Sequence, residues 1–180
     1  MFRVCSLTPS HYSLIRSFTY SPIHSFTHSL IHSLKSILCP LDFSAASAGL
    51  VAYAAALAVA TGADLRLLHV CEPQEDPTGQ QPDAQVFAPC TERMQALRAL
   101  AEQAGVARVH TGMVRGEAAP EIVAEASRQQ ADLIVIGAHG QTGLTRFLMG
   151  NTAEIVLRTA QCATLLVRAP LIPQTGPAAN

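Results

Sequence analysis

The 180-residue sequence predicts a single doubly wound α/β domain, in which helices cover both faces of a five-stranded parallel sheet. Short apolar runs with the length of strands alternate along the chain with segments of helical periodicity. Most of these runs are apolar at consecutive positions, which is typical of strands buried on both faces. Hydrophobic residues make up 49% of the chain and charged residues only 14%, so a sizeable core is expected.

The first half of the domain holds two predicted strands. Residues 37–41 form a short apolar run, and Asp42 follows its end. An alanine-rich helix then opens at Phe43-Ser44, with apolar residues on one face at Leu50, Ala54 and Leu57. The second strand spans residues 64–71, and residues 72–88, with their prolines and a Thr-Gly pair, predict a polar loop.

The third helix-and-strand unit follows this loop. Thr91 is expected to cap a helix that Gly105 ends, with inward-facing residues at Met94, Leu97 and Ala101. The third strand is predicted at residues 107–113.

Two further strands complete the predicted sheet. Pro120 lies in the first turn of a helix that leads to the fourth strand, residues 132–136. Asn151 and Glu154 have the spacing of a capping box, which predicts the start of the last helix at Asn151. The fifth strand is predicted at residues 163–167.

Residues 1–36 differ in composition from the rest of the chain. They are rich in serine and histidine and contain no acidic residue, so they predict a low-complexity extension that is disordered or an artefact of start assignment. A transit peptide and a metal site on histidines spaced by four are the alternatives. We therefore assign residues 37–170 to the folded domain and residues 171–180 to a disordered tail.

Charge and cysteine content exclude several function classes. A net charge of −1 gives no field that would attract nucleic acid or a membrane surface. Lys35 is the only lysine, which excludes a Walker phosphate loop and a Schiff-base lysine from the folded domain. Five cysteines without C-x-x-C spacing argue against a zinc site or a disulfide framework, and predict a cytoplasmic location. The uncharged residues 43–63 are alanine-rich and predict a buried helix rather than a membrane span.

A glycine pattern joins the fourth strand to the last helix. Gly137 and Gly140 follow the strand, nine residues intervene, and Gly150 then stands directly before the helix. Glycine allows close approach of the backbone to a ligand, and the first amides of a helix favour an anion. Asp42, at the end of another strand, could contact a ribose or a base, or simply cap the first helix. These residues alone leave a phosphate site and a structural glycine loop both open.

The chain from residue 37 onward resembles the universal stress protein family. Four segments carry the resemblance, namely Ile37-Leu38-Cys39-Pro40-Leu41-Asp42-Phe43-Ser44, Leu67-Leu68-His69-Val70, Ile136-Gly137-Ala138-His139-Gly140 with Gly150-Asn151-Thr152, and Ala163-Thr164-Leu165-Leu166-Val167. Members that keep the glycine motif bind ATP, which Mg²⁺ or Mn²⁺ can accompany. The resemblance implies a sheet of order 3-2-1-4-5, similar to the adenine-nucleotide alpha-hydrolase fold, and a homodimer paired through residues 163–168.

The resemblance also implies a nucleotide pocket. The nucleoside would contact Pro40, Leu41, Asp42 and the backbone of Val70. The floor would be formed by Ile136 and Gly137, and the phosphates would be held by His139, Gly140, Gly150, Asn151 and Thr152. Asn151 departs from the family pattern, which has serine or threonine after the last glycine. Because asparagine keeps a side-chain donor, we expect phosphate binding to survive.

The implied function is that of an ATP-binding sensor or regulator in a stress response, with unknown protein partners. We expect weak ATPase activity at most, because no catalytic motif or pair of carboxylates is evident near the glycines. An adenylate-forming or pyrophosphatase-like enzyme would need a Ser-Gly-Gly loop after the first strand, where this chain has Pro40-Leu41-Asp42-Phe43-Ser44. The main alternative is a dimeric interaction module of the same fold that binds no nucleotide.

Overall fold

The computed structural model describes residues 34–72, 83–138 and 150–168, with only the backbone of residues 83–86. Within these ranges five strands alternate with four helices. The elements are β1 (Ser36–Leu41), α1 (Ser47–Thr61), β2 (Asp64–Cys71), α2 (Asp83–Gln103), β3 (Val109–Arg115), α3 (Ala118–Arg128), β4 (Leu133–Gly137), α4 (Asn151–Thr159) and β5 (Ala163–Val167). The strands form one sheet of order β3-β2-β1-β4-β5, and every pair is parallel. The predicted fold class is therefore confirmed.

Two apolar layers sandwich the sheet. One layer packs α1 and α2 against the sheet face that carries Ile37, Cys39 and Leu67. The other packs α3 and α4 against the opposite face, which carries Leu38, Leu68 and Ile134. Successive residues of each strand point to opposite faces, so burial on both faces requires the continuous apolar runs seen in the sequence.

The doubly wound connections create a crevice at the sheet edge. The helix after β1 packs on one face, and the helix after β4 packs on the other. Since β1 and β4 are neighbours in the sheet, the chain leaves their carboxyl ends in opposite directions. Ligands of open parallel sheets bind at such a switch point.

The loop predicted at residues 72–88 is wrong from residue 83 onward, because helix α2 begins at Asp83 and continues through Pro89. Thr91 is consequently not an N-cap. Its hydroxyl donates to the carbonyl of Phe87, one turn earlier, at 2.9 Å. Proline lacks an amide donor and usually marks a boundary, but a helix tolerates it when tertiary packing compensates. Met94 and Ala101 are buried as predicted.

Two helix starts also differ from their predictions. Phe43 and Ser44 lie in a turn before α1, whose first residue is Ser47. Gly150, not Asn151, is the N-cap of α4, so Asn151 occupies the first helical position and forms no capping box. Gly150 can take this place because its extended backbone lets its carbonyl accept the first helical bond, from the Glu154 amide at 3.0 Å.

The strand predictions agree closely with the structure, although β3 begins two residues later than expected, at Val109. The predicted tail at residues 171–180 and nearly all of the predicted extension at residues 1–36 lie outside the described residues. Among the helices that the structure describes, none has both the length and the apolar character needed to cross a membrane.

Candidate functional site

The crevice opens where the ladder between β1 and β4 ends. The recorded pairs are Ile37 with Leu133 and Leu38 with Ile134, whereas β1 pairs with β2 as far as Leu41. The carbonyl of Ser36 accepts from the Asp132 amide, and that of Lys35 accepts from the Asp64 amide. Backbone groups alternate in direction along a strand, so those of Pro40 face β4. Proline has no amide hydrogen, so the ladder cannot continue there.

The end of β2 presents backbone groups to the same edge. Asp64 donates its amide toward β1, and alternation along β2 directs the amide and carbonyl of Val70 the same way. Strand β1 ends at Leu41, which pairs with His69, so Val70 lies one residue beyond the end of its neighbour. Val70 is half-buried. Its carbonyl is therefore positioned to accept from a ligand that lies over the end of β1.

Asp42 organises the turn that leaves β1. Its Oδ1 accepts from the Ser44 amide at 2.9 Å and from the Ser47 hydroxyl at 3.1 Å. Asp42 thus closes the turn ahead of α1, which is close to the structural role predicted as an alternative. It remains half-buried at the crevice rather than sealed in the core. These two bonds fix the orientation of the carboxylate, which can accept further hydrogen bonds from the hydroxyl groups of a ribose.

Phe43 belongs to the site, although the sequence did not single it out. Its backbone is left-handed, with φ 58°, and its ring is buried. The ring packs against that of His69, with 4.2 Å between centroids, and the Arg93 guanidinium lies over it at 5.0 Å. Arg93 also donates to the Phe43 carbonyl. These contacts fix the turn after Asp42, and no sequence pattern predicts them because they join residues far apart in the chain.

The two ends of the connection from β4 to α4 lie close together at the sheet edge. Ala138 donates its amide to the Val167 carbonyl at 2.9 Å, and Gly150 donates to the Ala138 carbonyl at 2.9 Å. Ala138, which follows β4, is therefore hydrogen-bonded to Gly150, which directly precedes α4. His139 and Gly140, two of the predicted phosphate contacts, lie outside the described residues. Gly137 is half-buried at the end of β4.

Helix α4 begins at this junction. Asn151 is exposed and Thr152 is half-buried in its first turn. The amides of the first helical residues have no acceptor within their own helix, and the helix dipole adds partial positive charge. Glu154 is the one acidic residue of this turn, and Arg158 pairs with it at 3.4 Å. The start of α4 can therefore accept an anion.

Three predicted pocket residues are buried at the strand ends, namely Pro40, Leu41 and Ile136. They can form the floor and walls of the crevice, but their side chains offer no polar group. The polar groups come from the Asp42 carboxylate, the Val70 backbone and the amides of α4. These three kinds of group are the partners that a ligand with a base, a sugar and phosphates requires.

One known protein family matches most of this chain. The model of the universal stress protein family matches residues 33–168. The chain belongs to the universal stress protein family. A universal stress protein of Thermus aquaticus is 33% identical over 135 residues, which cover 74% of this chain and 98% of that protein. One of Methanocaldococcus jannaschii is 44% identical over 79 residues, which cover 44% of this chain and less than half, 46%, of that relative.

Solved structures share the fold of this family member. A universal stress protein in complex with cAMP superposes with a TM-score of 0.65 at 22% identity, covering 77% of this chain and 99% of that one. The Archaeoglobus fulgidus protein in complex with dAMP gives a TM-score of 0.58 at 20% identity, covering 74% and 98%. At these identities the likeness establishes the architecture of the domain.

Proposed function

We propose that this universal stress protein binds ATP in the crevice between β1 and β4 and acts as a cytoplasmic sensor or regulator in a stress response. The observation that carries the proposal is the convergence at one sheet edge of the Asp42 carboxylate, the Val70 backbone and the start of α4. Adenine nucleotides are the ligands of two structural relatives, the complexes with cAMP and dAMP.

Each part of ATP has a partner in this arrangement. The base lies over the end of β1, where the Val70 carbonyl accepts from its amino group. The ribose lies against Asp42, whose Oδ1 is already oriented by Ser44 and Ser47. The phosphates extend toward Gly150 and the first amides of α4, and Mg²⁺ or Mn²⁺ would accompany them. Buried Pro40, Leu41 and Ile136 exclude water from beneath the nucleotide.

Hydrolysis is expected to be slow. In-line attack on a phosphate requires an oriented water and groups that stabilise the developing charge. Glu154 is the carboxylate in the first turn of α4, and its pairing with Arg158 directs it along the helix. The bound state of the protein would therefore follow the ATP concentration, and the bound ATP would not be consumed.

A homodimer through the last strand completes the proposal. Strand β5 pairs with β4 on one side and forms an edge of the sheet. Leu165 on this strand is 40% exposed, and α4 adds exposed Ile155 and Leu157. An edge strand with apolar side chains is suited to pair with a second copy, because it offers unpaired backbone groups and apolar area together.

Asn151→Asp tests the phosphate position by titration calorimetry with ATP. A carboxylate at the first position of α4 stabilises the helix by about 0.3–1 kcal/mol, so the fold is preserved. It repels phosphate a few ångströms away, which should weaken ATP binding on the order of tenfold or more. Asn151→Thr, a neutral donor, should bind ATP at least as tightly as the wild type.

Ala118→Asp is the matched control, because it places the same charge at the first position of α3. Ala118 follows β3, an edge strand that β2 and β1 separate from β4. This variant should bind ATP like the wild type. Equal weakening by both aspartates would contradict a phosphate site at α4. A wild type that binds no ATP would favour the nucleotide-free interaction module.

A further inference from the structure

Three metal-ligating side chains meet beside the crevice, on the sheet face covered by α1 and α2. His69 and Cys71 lie two residues apart at the end of β2 and so point to the same face. Cys90 approaches them from α2. One ring nitrogen of His69 and the two Sγ atoms all lie within 4.8 Å of one another.

The hydrogen bond of His69 leaves Nε2 as the ring nitrogen that can coordinate a metal ion. Its Nδ1 lies 2.8 Å from the carbonyl oxygen of Leu41. A carbonyl can only accept, so Nδ1 carries the hydrogen and Nε2 keeps its lone pair. Metal-bound histidines almost always donate their other ring nitrogen to a carbonyl or carboxylate in this way. Stacking against Phe43 further restrains the ring.

The two thiols already interact with each other. Cys71 is buried, and burial, followed by the neighbouring Cys90, raises the pKa of its thiol to about 11. Arg115 is the β3 residue opposite Cys71 in the sheet. Its positive charge lowers the pKa of the Cys71 thiol, but by less than burial raises it. A bound metal ion would displace the proton of each thiol, because a coordinating thiol is deprotonated.

We propose that His69, Cys71 and Cys90 form a binding site for a thiophilic divalent cation, Zn²⁺, with an imidazole and two thiolates as ligands. Ligand atoms around tetrahedral Zn²⁺ are roughly 3.5–3.8 Å apart, given bonds of about 2.1 Å to nitrogen and 2.3 Å to sulfur. Because the three atoms already lie within 4.8 Å of one another, each pair needs to approach by at most about 1 Å, a distance within the reach of side-chain rotation. His69 and Cys90 are half-buried, so the fourth position is open to water.

The site does not depend on nucleotide binding. Its ligands lie on the α1–α2 face of the sheet, whereas the phosphates are proposed at α4, which packs on the other face. Val70 stands between His69 and Cys71, so metal binding would fix the strand end that is proposed to contact adenine. Zinc titration without nucleotide therefore tests this site separately from the ATP proposal.

The test uses the full chain under a reductant that does not bind metal. Zn²⁺ is titrated in competition with a chromophoric chelator, and Co²⁺ is titrated separately to detect thiolate-to-metal charge transfer. The wild type should bind one Zn²⁺ per chain with coordinated thiolates. Cys90→Ser and His69→Gln should each weaken binding by about 10–100-fold or more, since losing even an outer partner of a ligand costs that much.

Cys162→Ser is the matched control, because Cys162 is also a half-buried thiol but lies before β5, outside the cluster. It should leave zinc affinity and the cobalt spectrum unchanged. Thermal unfolding of each metal-free variant separates a lost ligand from a lost fold. The proposal is overturned if Cys90→Ser binds Zn²⁺ like the wild type. It is equally overturned if Co²⁺ binds without thiolate charge transfer, which would indicate the histidines of residues 1–36.

Discussion

The left-handed backbone of Phe43 makes an unusual stability prediction. Phe43 is only 6% exposed and packs against His69 and Arg93, so Phe43→Ala should destabilise the protein by about 3–5 kcal/mol. Alanine would keep the strain of φ 58°, which costs an L-residue roughly 1–2 kcal/mol. Glycine relieves that strain but loses about 0.5–1 kcal/mol through its greater freedom in the unfolded chain. Phe43→Gly should therefore be more stable than Phe43→Ala by about 0.5–1 kcal/mol.

Val59 supplies the control for this comparison. It is 49% exposed within α1, where the backbone is helical. There glycine should be less stable than alanine by about 1 kcal/mol, the opposite sign. Urea unfolding of the four variants, followed by circular dichroism, measures both differences. If glycine is the less stable residue at both positions, the left-handed turn does not carry the strain that we assign to it.

Two further predictions concern the core and the sheet edge. Burial raises the pKa of Cys39 to about 12, above its ordinary value of 9.0, so the native state keeps this proton when the unfolded chain has lost it. The resulting stability is complete below about pH 9 and falls as the pH rises toward 12, by up to about 1.4 kcal/mol per unit. Cys39→Ala should flatten the dependence of the unfolding free energy on pH between 9 and 11, and parallel slopes would contradict this assignment. At the edge, Leu165→Arg should convert a dimer to a monomer in sedimentation velocity with an unchanged circular dichroism spectrum, whereas an unaltered dimer would exclude β5 as the interface.

The strands could be predicted from sequence because burial on both faces leaves an unambiguous pattern. Residues 64–71 and 163–167 were predicted with the bounds that β2 and β5 have in the structure. Helix α2 was harder to predict, because the polar and proline-rich residues 72–82 lead directly into it and Pro89 lies within it, so local propensity favours a loop there. Tertiary packing overrode that preference.

The site could be predicted in part. The chain order and the glycine pattern led to the carboxyl ends of β1 and β4, which lie side by side in the sheet. The cap of α4 was assigned to Asn151 instead of Gly150, because a polar side chain is the usual signal and Gly150 offers only its backbone. The contact of Arg93 with Phe43 and the approach of Cys90 to Cys71 join distant parts of the chain, so no local pattern could indicate them.

The central claim is that ATP occupies the crevice between β1 and β4. Its most direct test is to map the backbone amide shifts of the isotope-labelled protein by NMR as ATP is added. We expect shifts that saturate with ATP and cluster at Asp42, Val70, Gly137 and residues 150–152, with little change along β3. An unchanged spectrum at saturating ATP would contradict the claim, and so would shifts confined to the basic outer edge around Arg66, Arg98 and Arg108.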